Sequence, residues 1–136
     1  MDIDIIIPIY NAFDFVKKCI ETVIEHTDLT QHTLLLVNDK STDERILPLL
    51  NSFIKENQSL NIILIDNKDN QGFVRTVNIG MQYSHHDVVL LNSDTEVTRN
   101  WLSKIQNCAY SKPAVATVTP LSNNATLASV PVSFLQ

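Results

Sequence analysis

The sequence predicts an α/β domain: a three-layer sandwich in which a mostly parallel sheet lies between helices. Two patterns predict it. Aliphatic runs of strand length recur without the polar alternation of a sheet wetted on one face, and amphipathic helical stripes fall between them. Strands separated by helices join through right-handed crossovers, which run them parallel and cover both faces. The third observation is size: 136 residues at 44% apolar content suffice for one domain with a real core and hardly for two.

In chain order, the first strand is expected from Ile3 to Ile9. Val16, Cys19, Ile20, Val23 and Ile24 then form a helical stripe, with Asn11 placed to cap its start. Thr33 to Val37 reads as the second strand. Ser41 and Glu44 have capping-box spacing ahead of Ile46, Leu50, Phe53 and Ile54, although Pro48 should break or restart that helix. Asn61 to Ile65 is the third strand, and Phe73, Val77 and Met81 mark the third helix. Val88 to Leu91 is the fourth strand. Thr98 competes to cap the helix of Trp101, Leu102, Ile105 and Cys108, and Ala114 to Thr119 is a fifth strand. The tail from Thr119 to Gln136, rich in Ser, Asn, Thr and Pro, is the one shift in composition.

A net charge of −5 with scattered basic residues excludes a protein that wraps a nucleic-acid backbone. Cys19 and Cys108 lie in helical apolar patterns without metal-ligand spacing and read as buried, reduced thiols. The start, MDIDIIIPIY, lacks a basic leader, and no run reaches membrane-spanning length, so a cytosolic setting is expected. His85 and His86 read as a solvated turn, and His26 and His32 as flanking a loop.

The polar residues that carry chemistry cluster at the strand ends, where ligands bind in open α/β sheets. The first strand ends in Pro8-Ile9-Tyr10-Asn11, the second in Asn38 to Asp43, and the fourth in Asn92 to Glu96. With only Gly72 and Gly80 in the chain there is no glycine-rich phosphate cradle. A carboxylate such as Asp94 replaces it by holding Mg²⁺ or Mn²⁺, hard ions that share their coordination with substrate phosphates. Asp39, with Ser41 filling the cap position, is expected to stay free for a ligand hydrogen bond.

Four ordered segments carry a resemblance: IIIPIYNA, LLVNDKSTDE, NQGFVRTVNIGM and VLLNSDTEVTRNWL. Together they resemble the nucleotide-sugar-binding part of a family-two glycosyltransferase with the Rossmann-like GT-A fold. The resemblance implies that Tyr10 lies against the nucleobase, that Pro8 shapes the same wall, and that Asn11 belongs to this binding segment. It implies that Asp39 accepts a hydrogen bond from the base imide, favouring a UDP-sugar donor, that Gly72 admits the ligand, and that Arg75 approaches the nucleotide. The family's DDGSTD reads NDKSTD here, so Asn38 and Lys40 depart from it while Asp39 remains. The family's DxD motif falls on Asn92-Ser93-Asp94, which leaves Asp94 as the metal ligand and Asn92 and Ser93 beside the donor.

The same resemblance implies metal-dependent, inverting transfer to a saccharide or lipid-linked acceptor hydroxyl. It also allows peripheral membrane association through regions outside this chain. Inversion needs a general base, yet no Asp, Glu or His follows Glu96. The base is expected beyond Gln136, in a longer enzyme of which this chain is the N-terminal, donor-binding part. The alternative is a non-catalytic nucleotide-binding or interaction module. A nucleotidyltransferase is disfavoured because PIYNAFDF lacks the glycine- and arginine-bearing loop that class requires. The tail PLSNNATLASVP resembles segments of bacterial surface-polysaccharide glycosyltransferases.

Overall fold

A computed structural model of the chain describes residues 1–120. Residues 121–136, which hold most of the tail segment just quoted, lie outside the described residues. The elements in chain order are β1 (Ile3–Ile9), α1 (Phe13–His26), β2 (Thr33–Asn38), α2 (Ile46–Glu56), β3 (Ile62–Asp66), α3 (Phe73–Tyr83), β4 (Asp87–Leu90) and α4 (Trp101–Ala109). The four strands form one parallel sheet in the order β3-β2-β1-β4. The chain divides into two compact units: the first, Met1–Arg99, holds the sheet with α1, α2 and α3, and the second begins at Asn100 and holds α4.

Sequence chemistry explains why β1 is central. All seven of its residues are buried, with Ile5, Ile6 and Ile7 sealed from solvent, as expected of a strand covered on both faces. Pro8 is tolerated inside this central strand for a specific reason. The Ile6 carbonyl accepts the Leu91 N–H, so Pro8, two residues on, turns its backbone toward the same β4 side, where pairing has ended at Ile6 and Leu90. The missing proline N–H therefore costs no ladder bond.

On one sheet face Ile6, Leu35 and Val37 form a core against which Ile65, Val88 and, from α3, Ile79 pack. Gly80 lets α3 approach closely: a Cβ there would stand 2.8 Å from Ile6 Cγ2. The crossovers β1-α1-β2 and β2-α2-β3 advance in one direction across the sheet, and β3-α3-β4 returns in the other. Right-handed connections then place α1 and α2 on the face opposite α3. The three-layer α/β architecture expected from the sequence is present, and the strand order reverses beside β1.

Several local expectations are overturned. Asn11 does not cap α1; the cap position is Ala12, in left-handed conformation and without a side-chain cap bond. The Ser41/Glu44 capping box does not form, because α2 starts only at Ile46 and the Ser41 hydroxyl donates to Asn38 Oδ1 instead. Pro48 neither breaks nor restarts α2: it is the third residue, in the first turn, where no backbone N–H has an intrahelical partner. Thr98 does not cap α4, which follows Asn100 in left-handed conformation.

Of the α3 stripe only Val77 is buried, with Thr76 and Gly80 beside it and Ile79 packed on the sheet core, while Phe73 and Met81 are exposed. Ala114 to Thr119 forms no strand, since no neighbour among the described residues pairs with it. Cys19 is buried as expected, but Cys108 is exposed. Coverage on both faces holds for β1 and β2, whereas the outer strands expose Ile63 and Leu90. No helix among the described residues is long and apolar enough to cross a membrane.

Candidate functional site

The site is assembled at the carboxyl ends of β1 and β2 from three loops. After β1 the chain turns through two consecutive residues of positive φ, Asn11 at 54° and Ala12 at 55°. Asparagine tolerates this region better than most residues, and its side chain pins the turn. Asn11 donates its backbone N–H to Ser41 Oγ and its side-chain amide to Thr42 Oγ1, and its Oδ1 accepts from the Asp43 N–H, each at 2.9 Å. The β1 and β2 loops are thereby stitched together, and Tyr10 is held at their rim, half exposed.

The β2 loop carries the two departures from the family pattern. Lys40 occupies a left-handed turn, φ 55°, where glycine would be free of strain. Asn38 is buried; its amide donates to Asp66 Oδ1 at 2.8 Å and its Oδ1 accepts from the Ser41 hydroxyl at 2.7 Å. An acid at position 38 would face the Asp66 carboxylate at that distance, so asparagine is the residue that fits.

Asp39 is the centre of the arrangement, and it is not free as expected from the sequence. It is 4% exposed. Its Oδ1 accepts from the Gln71 N–H at 2.7 Å and the Asn67 amide at 3.1 Å, and its Oδ2 accepts from the Gly72 N–H at 3.0 Å. Burial alone would raise its pKa, but these bonds and the nearby Thr76 hydroxyl outweigh burial and hold the carboxyl below the usual range. The ionised group therefore clasps the loop that leads into α3, whose cap residue Gly72 has φ 83° and ψ 166°, a region open essentially to glycine alone. A Cβ at Gly72 would meet nothing within 4 Å, so backbone conformation, not close approach, explains the glycine.

Between these loops lies a cavity of about 390 Å³ lined by Pro8, Ile9, Tyr10, Asp39, Asn70, Gly72, Phe73 and Thr76. This is within the range of small-molecule sites, apolar walls with a few convergent polar groups. Four residues singled out in the sequence, Pro8, Tyr10, Asp39 and Gly72, meet here. Asn11 instead braces the loop, and Arg75 is exposed on α3 without lining the cavity.

Asn92, Ser93 and Asp94 follow β4, on the other side of β1 from β2. The Asn92 carbonyl accepts from Cys19 Sγ at 3.6 Å and from the Thr95 N–H at 3.1 Å, and the Val97 N–H donates to Thr22 Oγ1 at 3.2 Å. Burial pushes the Cys19 thiol up to about 12, so it stays a thiol that anchors this turn to α1. Asn92 and Asp94 point their exposure to solvent, and Ser93 is half-buried. Among the described residues no group of three or more His, Cys, Asp or Glu stands close enough to hold a metal by itself. The oxygen donors of Asp94 and Asn92 suit a hard divalent ion that completes its shell with water and phosphate oxygens.

Sequence reasoning did not single out Ile9, Asn70, Phe73 and Thr76 as lining residues, nor Asn67 behind them. Asn70, which opens the Asn70-Gln71-Gly72 segment of the resemblance, carried a usable signal. Phe73 was concealed by its apparent helical period, and Asn67 had none.

Fold and site together define a GT-A glycosyltransferase domain. Residues 4–131 match the pattern described as glycosyl transferase family 2, and the chain belongs to that family, whose members are enzymes. It is 31% identical over 104 residues to polypeptide N-acetylgalactosaminyltransferase 11 of Xenopus tropicalis, covering 74% of this chain and 17% of that protein. The mannosyltransferase PcManGT from Pyrobaculum calidifontis, solved with GDP-Man and Mn²⁺, shares the fold at TM-score 0.71 and 17% identity, over 76% of this chain and 31% of that one. S. aureus TarS in complex with UDP-GlcNAc does so at TM-score 0.65 and 18% identity, over 78% and 30%. The chain thus spans less than a third of the length of each.

Proposed function

We propose that this chain is the donor-binding part of a metal-dependent, inverting glycosyltransferase. It takes a sugar from a nucleoside-diphosphate sugar, UDP-sugar favoured, to a hydroxyl of a saccharide or lipid-linked acceptor in bacterial surface-polysaccharide synthesis. The observation that carries the reading is the convergence of Pro8, Tyr10, Asp39 and Gly72 on one cavity at the carboxyl edge of a family-two domain. Relatives of the same fold solved with UDP-GlcNAc and with GDP-Man and Mn²⁺ support a nucleotide-sugar donor and a divalent ion.

Each residue then has a task. Tyr10 and Pro8 form an apolar wall for the base, and Asp39, kept ionised, accepts the imide N–H. Asn11 holds the wall in place through Ser41, Thr42 and Asp43. Gly72 sets the entry into α3, and Arg75 on its first turns meets the anionic part of the donor. Asp94, with Asn92 and Ser93 beside it, holds Mn²⁺ or Mg²⁺. When bound, that ion supplies charge stabilisation to the departing diphosphate. The general base is assigned to a segment outside these 136 residues, since none of the residues after Glu96 is Asp, Glu or His. A cytosolic setting, with peripheral membrane association through other regions of the parent protein, belongs to the same proposal; the free thiols of Cys19 and Cys108 support it.

Calorimetric titration of UDP with and without Mn²⁺ tests the reading. Charge-assisted contacts of ~1.5–3 kcal/mol predict that Mn²⁺ strengthens UDP binding by about tenfold or more. Asp94→Ala should remove that increment and leave metal-free binding unchanged. Equal affinities with and without the ion would refute the metal assignment.

A further inference from the structure

We propose that Asn67 is a positioning residue that sets the base specificity of the donor cavity by aiming Asp39. The inference rests on the nucleotide-donor reading above and extends it to a residue that stands behind the cavity wall without lining it. Asn67 is buried, and its backbone N–H is fixed to the Asn38 carbonyl at 2.9 Å. The two hydrogens of its side-chain amide have two destinations: Asp39 Oδ1 at 3.1 Å and Thr76 Oγ1 at 3.3 Å. The amide is thus held by α3 on one side and holds the carboxylate on the other.

Counting lone pairs shows the consequence. A carboxylate offers about four acceptor directions, two on each oxygen. Oδ1 is filled by the Gln71 N–H and the Asn67 amide, Oδ2 already takes the Gly72 N–H, and the Thr76 hydroxyl stands near the same carboxylate. Asp39 lines the cavity with at most one direction open, on Oδ2. Uracil and thymine present a single imide N–H and match that vacancy. Guanine presents an N–H and an adjacent amino group and needs both oxygens at once; with Oδ1 closed, one donor is left unpaired in a buried site. Leaving such a donor unpaired is how a site rejects a competitor. Removing the Asn67 amide reopens Oδ1, and the cavity loses its reason to prefer one donor over two.

The test is the ratio of UDP to GDP affinities, measured by calorimetry on the full chain with Mn²⁺ present. Wild type should bind UDP at least about tenfold more tightly than GDP, the factor expected for one unpaired buried donor. Asn67→Leu should bring the ratio to within about threefold of one, with GDP binding no weaker than in wild type. Thr76→Val, nearly isosteric, frees the amide from its second anchor and should shift the ratio in the same direction by a smaller factor. It serves as the readout if Asn67→Leu does not fold. A merely structural role for Asn67 would weaken UDP and GDP in parallel, and an unchanged ratio in the folded variants overturns the proposal. If wild type binds neither nucleotide, the donor reading itself fails and this inference goes with it. If wild type binds both equally, only the inference fails.

Discussion

At the residue scale, the departures from the family pattern are where chemistry is most readable. Asn38 stands where the family has an acid, and the reason is Asp66, whose carboxylate receives the Asn38 amide at 2.8 Å. Asn38→Asp should therefore destabilise the fold by ~1–3 kcal/mol at neutral pH, the cost of a buried group facing a like charge. Adding Asp66→Asn should restore most of the loss in urea denaturation, and failure of that rescue would mean the two side chains are not coupled. His32 makes a second prediction. Its Nδ1 accepts the Ile3 N–H at 3.1 Å, which requires the neutral ring, and burial lowers its pKa against the opposing charges of Asp2 and Asp28. The unfolded chain then binds the proton more readily, so stability falls as pH drops below about 6.5, the unperturbed histidine value. Urea midpoints at pH 7.5 and 5.5 should separate in wild type and draw together in His32→Gln. None of this was legible in the sequence, where His32 stood as a loop residue and Asn38 as an unexplained change, because both partners lie about thirty residues away.

At the element scale, the sequence yielded the order of elements and the bounds of the four strands to within a residue, and it missed the helix caps. Unbroken aliphatic runs identified β1 and β2 because those strands are covered on both faces, and the same rule overestimated the outer strands, whose Ile63 and Leu90 are exposed. A run such as Ala114 to Thr119 has strand composition but no partner among the described residues, and pairing is not encoded locally. Capping residues misled for a related reason. Asn11 and Ser41 have the right chemistry for helix starts, yet they spend it on joining two loops across the site. Pro48 illustrates how position decides: in the first turn of α2 it gives up no hydrogen bond. Pro48→Ala should therefore change stability by less than about 1 kcal/mol, whereas loss of an interior helix breaker would give a gain near 3. Gly80 is the opposite case. Its missing Cβ is the contact between α3 and β1, 2.8 Å from Ile6 Cγ2 and 3.3 Å from Val37 Cγ2. Overpacking of this kind costs ~1–3 kcal/mol, so Gly80→Ala should lower the thermal midpoint despite alanine's better helix propensity. A rise would show that Ile6 moves aside freely.

At the scale of the first compact unit, α3 is fastened to the sheet at both ends by buried carboxylates as well as at Gly80. Asp39 receives the N–H groups of Gln71 and Gly72 where α3 begins. Asp4, at the opposite end of the sheet, receives the Ser84 hydroxyl at 2.5 Å and the His85 N–H at 3.1 Å where α3 ends, with His86 Nδ1 3.2 Å away. Burial would raise the Asp4 pKa, but the bonds from Ser84, His86 and His85 outweigh it and leave it lowered, as at Asp39. The sign follows. Both acids contribute stability that is complete above the unfolded value near 3.9 and is lost as pH falls through their depressed folded values. The His32 contribution is lost at higher pH, so the two effects occupy separate windows. The two clasps also differ in function, because only Asp39 lines the cavity. Asp4→Asn and Asp39→Asn should each cost ~1–3 kcal/mol at pH 7 and each make the acid transition shallower. Asp4→Asn should leave UDP affinity as in wild type, and Asp39→Asn should reduce it about tenfold or more, the factor for a charge-assisted bond. Acid titrations followed by circular dichroism, paired with UDP calorimetry at neutral pH, separate the two. If Asp4→Asn weakens UDP binding as much as Asp39→Asn does, the nucleotide is reading the seating of α3 as a whole and not a carboxylate at its entrance.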